Sequence, residues 1–146
     1  MLGLLALTSS ALFAGAAFYI NFAEQPARMR LDDAALLTQW KPSYGRGFAM
    51  QSALAIVSFL LGALAWWQTR QPLFLAGAIA MIANWPFTLL VIMPTNKILM
   101  GIDPASGDVR IRPLLEKWNG LHAVRTVLSL IGCVCFLLAL ISMGGR

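Results

Sequence analysis

Trp118, His122, Arg125 and Ser129 follow one another at intervals of four, three and four residues, the spacing that aligns side chains on one face of an α-helix. The histidine is the single one in the chain. It stands one helical turn before a run of about 20 residues without a charge, which is the length that crosses a bilayer. An ionisable pair at the mouth of such a run points to function. An imidazole, with an unperturbed pKa of about 6.5, accepts a proton at neutral pH. A guanidinium stays charged and holds an oxyanion, more strongly where water is excluded. Together they can remove a proton and stabilise the anion that results. The plainer reading sets both at a helix end, snorkelling to headgroups or paired with Glu24 or Glu116.

Other polar groups are expected at the same level. The exit of the third apolar run carries Asn84, Thr88, Thr95 and Asn96. Thr88 taken alone bonds back to its own helix, and Asn96 taken alone caps or turns the chain. The exit of the first run carries Tyr19 and Glu24 ahead of Pro26. Glu24 is the one carboxylate adjoining an apolar run on this side, so it is the expected partner of His122 or Arg125. A metal site is not expected, because one histidine, no clustered thiolates and no paired carboxylates are a poor donor set for a transition metal. Cys133 and Cys135 are the only cysteines. Two residues apart, they point about 200° apart around a helix and cannot bridge each other, so they are read as packing residues.

The elements that must position these groups are helices in lipid. The chain has 146 residues, 59% hydrophobic and 12% charged, with a mean hydropathy of +0.73, whereas soluble domains carry about 25% charged residues. Apolar runs extend over Leu2 to Ala23, Phe48 to Trp67, Leu73 to Met93 and Leu121 to Met143, each near the length needed to span about 30 Å of hydrocarbon. Lipid offers backbone amides no hydrogen bonds, and continuous runs of this length favour helices over strands. The expected architecture is all-α: a single four-transmembrane-helix domain over residues 1–146, packed as a four-helix bundle. The first run is expected to remain as a span, since no basic residue precedes it and it outlasts a signal core.

The connections differ in character. Gln68 to Pro72 is short enough to make the second and third spans an antiparallel hairpin. After Pro26, Asp32 and Asp33 precede Leu36, Leu37 and Trp40 at helical spacing, which predicts a short interfacial helix anchored by Trp40, with Pro42, Gly45 and Gly47 turning the chain into the second span. The third connection turns at Asp103, Pro104, Ser106 and Gly107. Pro113 suits the first turn of a fourth helix about 30 residues long, whose start stands above the membrane core. Pro86 should kink the third span, with Asn84 serving the break. Ala11, Gly15, Gly62, Gly77 and Gly132 are expected at helix contacts. Nine basic residues (Arg28, Arg30, Lys41, Arg46, Lys97, Arg110, Arg112, Lys117 and Arg125) and all six acidic ones flank the long connections, with Arg70 and Arg146 on the other side. The positive-inside bias then puts the long connections in the cytoplasm and both termini outside, for a bacterial inner membrane. The net charge of +5 reports this topology, so nucleic acid is not an expected partner.

The segments Trp85-Pro86-Phe87-Thr88, Pro94-Thr95-Asn96-Lys97 and Trp118 through His122 to Arg125-Thr126 together resemble the DUF1772, or anthrone oxygenase, family over nearly the whole chain. The resemblance implies a four-helix membrane protein. It also implies, from the fungal members, a monooxygenase without metal or organic cofactor that oxidises a polyketide anthrone to an anthraquinone. Carried onto matching positions, the resemblance covers Asn96, Trp118, His122 and Arg125. For such chemistry His122 is the expected base, Arg125 and Asn96 the expected oxyanion donors, and Trp118, Trp85 and Phe87 the expected stacking walls, with Thr88, Tyr19 and Glu24 also expected against a flat lipophilic substrate such as an anthrone or quinol. The alternative is a non-catalytic protein that binds a lipid or quinone or supports a membrane complex. Expected partners are the lipid bilayer, a lipophilic small molecule and, as an option, a second copy of the chain.

Overall fold

Helices α1 (Leu2–Arg28), α2 (Asp33–Thr69), α3 (Pro72–Gly101) and α4 (Ile111–Gly144) account for nearly all of the computed structural model, which describes residues 1–144. Each is long and apolar enough to cross a membrane. The protein is thus an all-α, integral membrane four-helix bundle. Arg146, counted above for the orientation, lies outside the described residues. Short connections make successive helices antiparallel, and the main contacts run α1 to α2, α2 to α3, α3 to α4 and α4 back to α1, so that α1 and α3 are diagonal.

The termini half of the bundle is closed by Phe13, Phe74, Met81 and Phe136, all buried. Phe136 wedges between α2 and α3, where a Cβ on Gly62 or Gly77 would come within 2.6 Å of its ring. Gly132 faces Met81 in the same way, with Sδ 2.9 Å from a Cβ position. Gly15 and Ala11 face outward and take no part in these contacts. The connection half has its own apolar cluster of Leu36, Leu37, Trp40, Leu99, Ile111 and Leu115. Between the two clusters runs a layer of buried polar side chains.

The segment expected to lie flat as an interfacial helix is helical, but it is the start of α2, which continues through Pro42, Gly45 and Gly47 to Thr69. Asp32 caps it, accepting from the Ala35 amide at 2.8 Å. Trp40 is fully buried instead of anchoring at the surface, stacked on Tyr44 at 4.9 Å and edge-on to Trp118 at 5.6 Å. Burying Leu36, Leu37 and Trp40 at about 1.5–3 kcal/mol each offsets the roughly 3 kcal/mol of a helical proline. Lys41 and Arg112 hold the connections down. The Lys41 ammonium donates to the carbonyls of Met100 at 3.0 Å and Ile102 at 2.6 Å. Arg112 donates to those of Met29 and Leu31 and pairs with Asp33, each at 2.7 Å. The helix α4 begins at Ile111 and runs for 34 residues.

Three prolines mark departures from the α-helix. Ahead of Pro86, α3 breaks at Ala83, and the Asn84 amide donates to the carbonyls of Ala80 at 3.3 Å and Met81 at 3.1 Å. Pro26 and Pro94 each follow a π turn, over Ile20–Glu24 and Thr88–Ile92. A proline lacks an N–H and its ring clashes with the carbonyl four residues back, here of Phe22 and Leu90; a widened turn relieves both. Both π turns lie at the level of the polar layer.

Candidate functional site

His122, Arg125, Trp118 and Asn96 come together in that layer, lining one chamber with Tyr44, Gln51 and Arg28. The stripe on α4 is therefore turned inward: Trp118, His122, Arg125 and Ser129 are all buried, the first three against this chamber. The Trp118 and His122 rings lie 4.9 Å apart.

His122 is held by a residue that its own helix does not supply. Its Nδ1 lies 3.0 Å from Oδ1 of Asn21 on α1, which also accepts from the Thr126 hydroxyl at 2.7 Å. Asn21 is in turn oriented by α4, since its amide nitrogen donates to the Asn119 carbonyl at 3.0 Å and to Oδ1 of Asn119 at 2.7 Å. An amide oxygen only accepts, so Nδ1 carries the proton and Nε2 keeps its lone pair. The π turn at Ile20–Glu24 contains Asn21 and sets its direction.

Arg125 is 6% exposed, and among the described residues no carboxylate pairs with it. Its guanidinium lies 5.4 Å from the Phe13 ring centroid, and its Nε has no hydrogen-bond partner. Both polar atoms of Asn96 and Nε2 of Gln51 are likewise buried and unpartnered. A buried polar group without a partner costs about 1–3 kcal/mol and is uncommon in folded proteins. Here several converge on one cation, an arrangement suited to a ligand that brings an anionic or carbonyl oxygen.

The other expected residues are distributed differently. Glu24 pairs with Arg28 instead of His122 or Arg125, and accepts from the Ser43 hydroxyl at 2.6 Å. Arg28 completes its set with Gln25, Gln39 and Ser43. Glu24 and Tyr19 line an outer groove of about 530 Å³ between α1 and α2, with Tyr19 facing outward. Successive helical residues turn by about 100°, so Tyr19 and Asn21 cannot share a face. Phe87 packs against the connection-half cluster and lines neither chamber. Trp85 and Thr88 line a second chamber that shares Arg125, Gln51 and Phe48 with the first. Ser129 bonds back to the Thr126 carbonyl at 2.8 Å. Asn21, Arg28 and Gln51 were not anticipated; a lone amide within or at the edge of an apolar run is the signal that marks Asn21 and Gln51.

A family model described as anthrone oxygenase matches residues 40–135. An anthrone oxygenase of Aspergillus fumigatus, tpcL, is 36% identical over 108 residues, covering 68% of this chain and 66% of its own length. One of Pestalotiopsis fici, ptaC, is 30% identical over 119 residues, with 70% and 83% covered. One of Claviceps purpurea is 27% identical over 144 residues, with 88% and 82% covered. No solved structure matches the chain. These relatives are fungal, so the assignment to a bacterial inner membrane has no support from them.

Proposed function

Because the chain belongs to the anthrone oxygenase family, we propose that it is a membrane-embedded oxygenase that deprotonates a flat, lipophilic anthrone-type substrate and lets the carbanion react directly with oxygen. His122 Nε2 takes a proton from the methylene between the two aromatic rings. The electron pair spreads onto the ring carbonyl oxygen, which becomes an oxyanion held by the Arg125 guanidinium and the Asn96 amide. Dioxygen accepts the electrons and bonds to the former methylene carbon, giving a hydroperoxide once the imidazolium returns its proton. Loss of the second hydrogen from that carbon, with cleavage of the O–O bond, yields the quinone carbonyl and water. The net change is anthrone plus dioxygen to anthraquinone plus water.

The observation that carries this reading is the nearness of a buried arginine, with no carboxylate partner among the described residues, to a histidine whose Nδ1 is committed to Asn21. Trp118 and Trp85 supply flat apolar walls. The excess of basic residues at the connection end favours a cytoplasmic position for that end, with both termini outside.

The test is aerobic and anaerobic turnover of a simple anthrone by the purified protein in detergent. Oxygen-dependent quinone formation above the uncatalysed rate is expected. It should fall by ~10² or more in His122→Ala and in Arg125→Ala. Rates unchanged in both variants, or no rate above background in the wild type, would overturn the reading.

A further inference from the structure

The mechanism leaves part of the buried polar surface unused. Beyond Arg125 lies the second chamber, bounded by α2 and α3, whose wall carries Asn84 and Thr88, 2% and 5% exposed. The orientation of Asn84 is settled by its neighbours. Its nitrogen faces two carbonyls of its own helix, which only accept, so Oδ1 is the atom left for a ligand, and no donor reaches it. Thr88 stands one turn further along the same face, and its hydroxyl also lacks a partner. Of the seven buried side-chain atoms without a partner among the described residues, six belong to residues lining the two chambers, Trp40 being the exception. The donors of Arg125 and Gln51 face both chambers, and Asn96 adds a donor and an acceptor to the first; only the second has the Asn84 acceptor and the Thr88 hydroxyl.

We infer that Asn84 and Thr88 form a hydroxyl-binding subsite, which takes an O–H donor on an outer ring of the aromatic ligand whose carbonyl or oxyanion lies against Arg125. The inference rests on the proposed binding of an aromatic carbon acid beside His122. It adds a specificity determinant on α3: the ligand is polar at two separate places, an acceptor at one and a donor at the other. A site built to pair a substrate hydroxyl disfavours the analogue that lacks it, because its buried polar atoms then stay unpaired. The free space is about 20 Å³ in the first chamber and about 10 Å³ in the second, room for about one water each. A ring needs more room than this, so side chains must shift for it to enter; Phe48, which lines both chambers, is half-buried.

The test uses two anthraquinones of nearly equal shape, bearing a hydroxymethyl or an ethyl group at the same β carbon. Their binding to the purified full chain in detergent is followed by quenching of tryptophan fluorescence. The wild type is expected to bind the hydroxymethyl compound about tenfold tighter or more. Thr88→Val, which leaves the Asn84 cap of the α3 break intact, should lose part of that preference, and Asn84→Leu with Thr88→Val nearly all of it. Affinity for the ethyl compound should stay within a few-fold throughout. Arg125→Ala should weaken both compounds alike and keep their ratio. Equal, Arg125-dependent affinities in the wild type, or a preference that survives in the double variant, would remove the subsite and leave the proposed function standing. Failure of both compounds to bind would remove the two together.

Discussion

Asn21 joins α1 to the imidazole, and its replacement separates positioning from packing. In Asn21→Leu the Nδ1 proton of His122 and the Thr126 hydroxyl lose their common acceptor, and the ring is free to change tautomer or turn. Loss of a partner that orients a functional histidine costs about 10- to 100-fold in the better-studied metal sites. A fall of that order in kcat with KM changed less than about threefold is expected from initial rates against anthrone concentration; a rise in KM alone would make Asn21 a packing residue. A pH profile supplies the complementary result. Activity should decline on the acid side as the imidazole takes up a proton and ceases to be a base. That limb should be missing from the residual activity of His122→Asn, and its persistence there would assign the titration to another group.

At the scale of elements, the prolines set the bundle's registers. Pro26 imposes the π turn that carries Asn21, and Pro94 the one that carries Thr88 and Ile92. Replacing Pro26 by alanine removes a residue about 3 kcal/mol unfavourable in a helix interior and lets the turn close to ordinary α geometry. Thermal stability in detergent should hold or rise while turnover falls about tenfold, because Asn21 then points away from His122. An unchanged rate would mean that the turn is set by packing alone. The opposite signature is expected for Gly77→Leu. A Cβ there already meets the Phe136 ring at 2.6 Å, and a larger side chain should lower stability by about 1–3 kcal/mol, seen as a lower unfolding midpoint. The cost follows from Phe136 being wedged by Gly62 as well as by Gly77, with little room to yield.

For the whole molecule, the depth of the site follows from helix lengths. From His122 to Gly144 on α4, and from Leu2 to Asn21 on α1, the rise is about 30 Å at 1.5 Å per residue, close to the hydrocarbon thickness. The polar layer thus sits near one membrane face, and the Trp40 and Leu115 cluster stands beyond it as a cap. That placement suits a substrate that partitions into lipid and a base that must exchange protons with water. Four spans put both termini on one side. Reporter fusions at the two ends should read the same compartment, and opposite readings would break the four-span topology.

Composition, run lengths and helical spacing were enough to specify four apolar helices and a Trp118, His122 and Arg125 stripe on one face, because hydrophobicity and the 3.6-residue period are local properties. Asn96 could be placed at the same level for the same reason. Which side chains meet across the bundle was decided only by tertiary structure. Glu24 turned to Arg28, Tyr19 faced outward, and Asn21, two residues from Tyr19, reached His122. Those outcomes depend on the rotation of α1 about its axis, which the π turn before Pro26 and the packing on α2 and α4 set jointly. The continuity of α2 through Pro42 was likewise a tertiary result, since burial of Trp40 among residues from three helices outweighed local helix propensity.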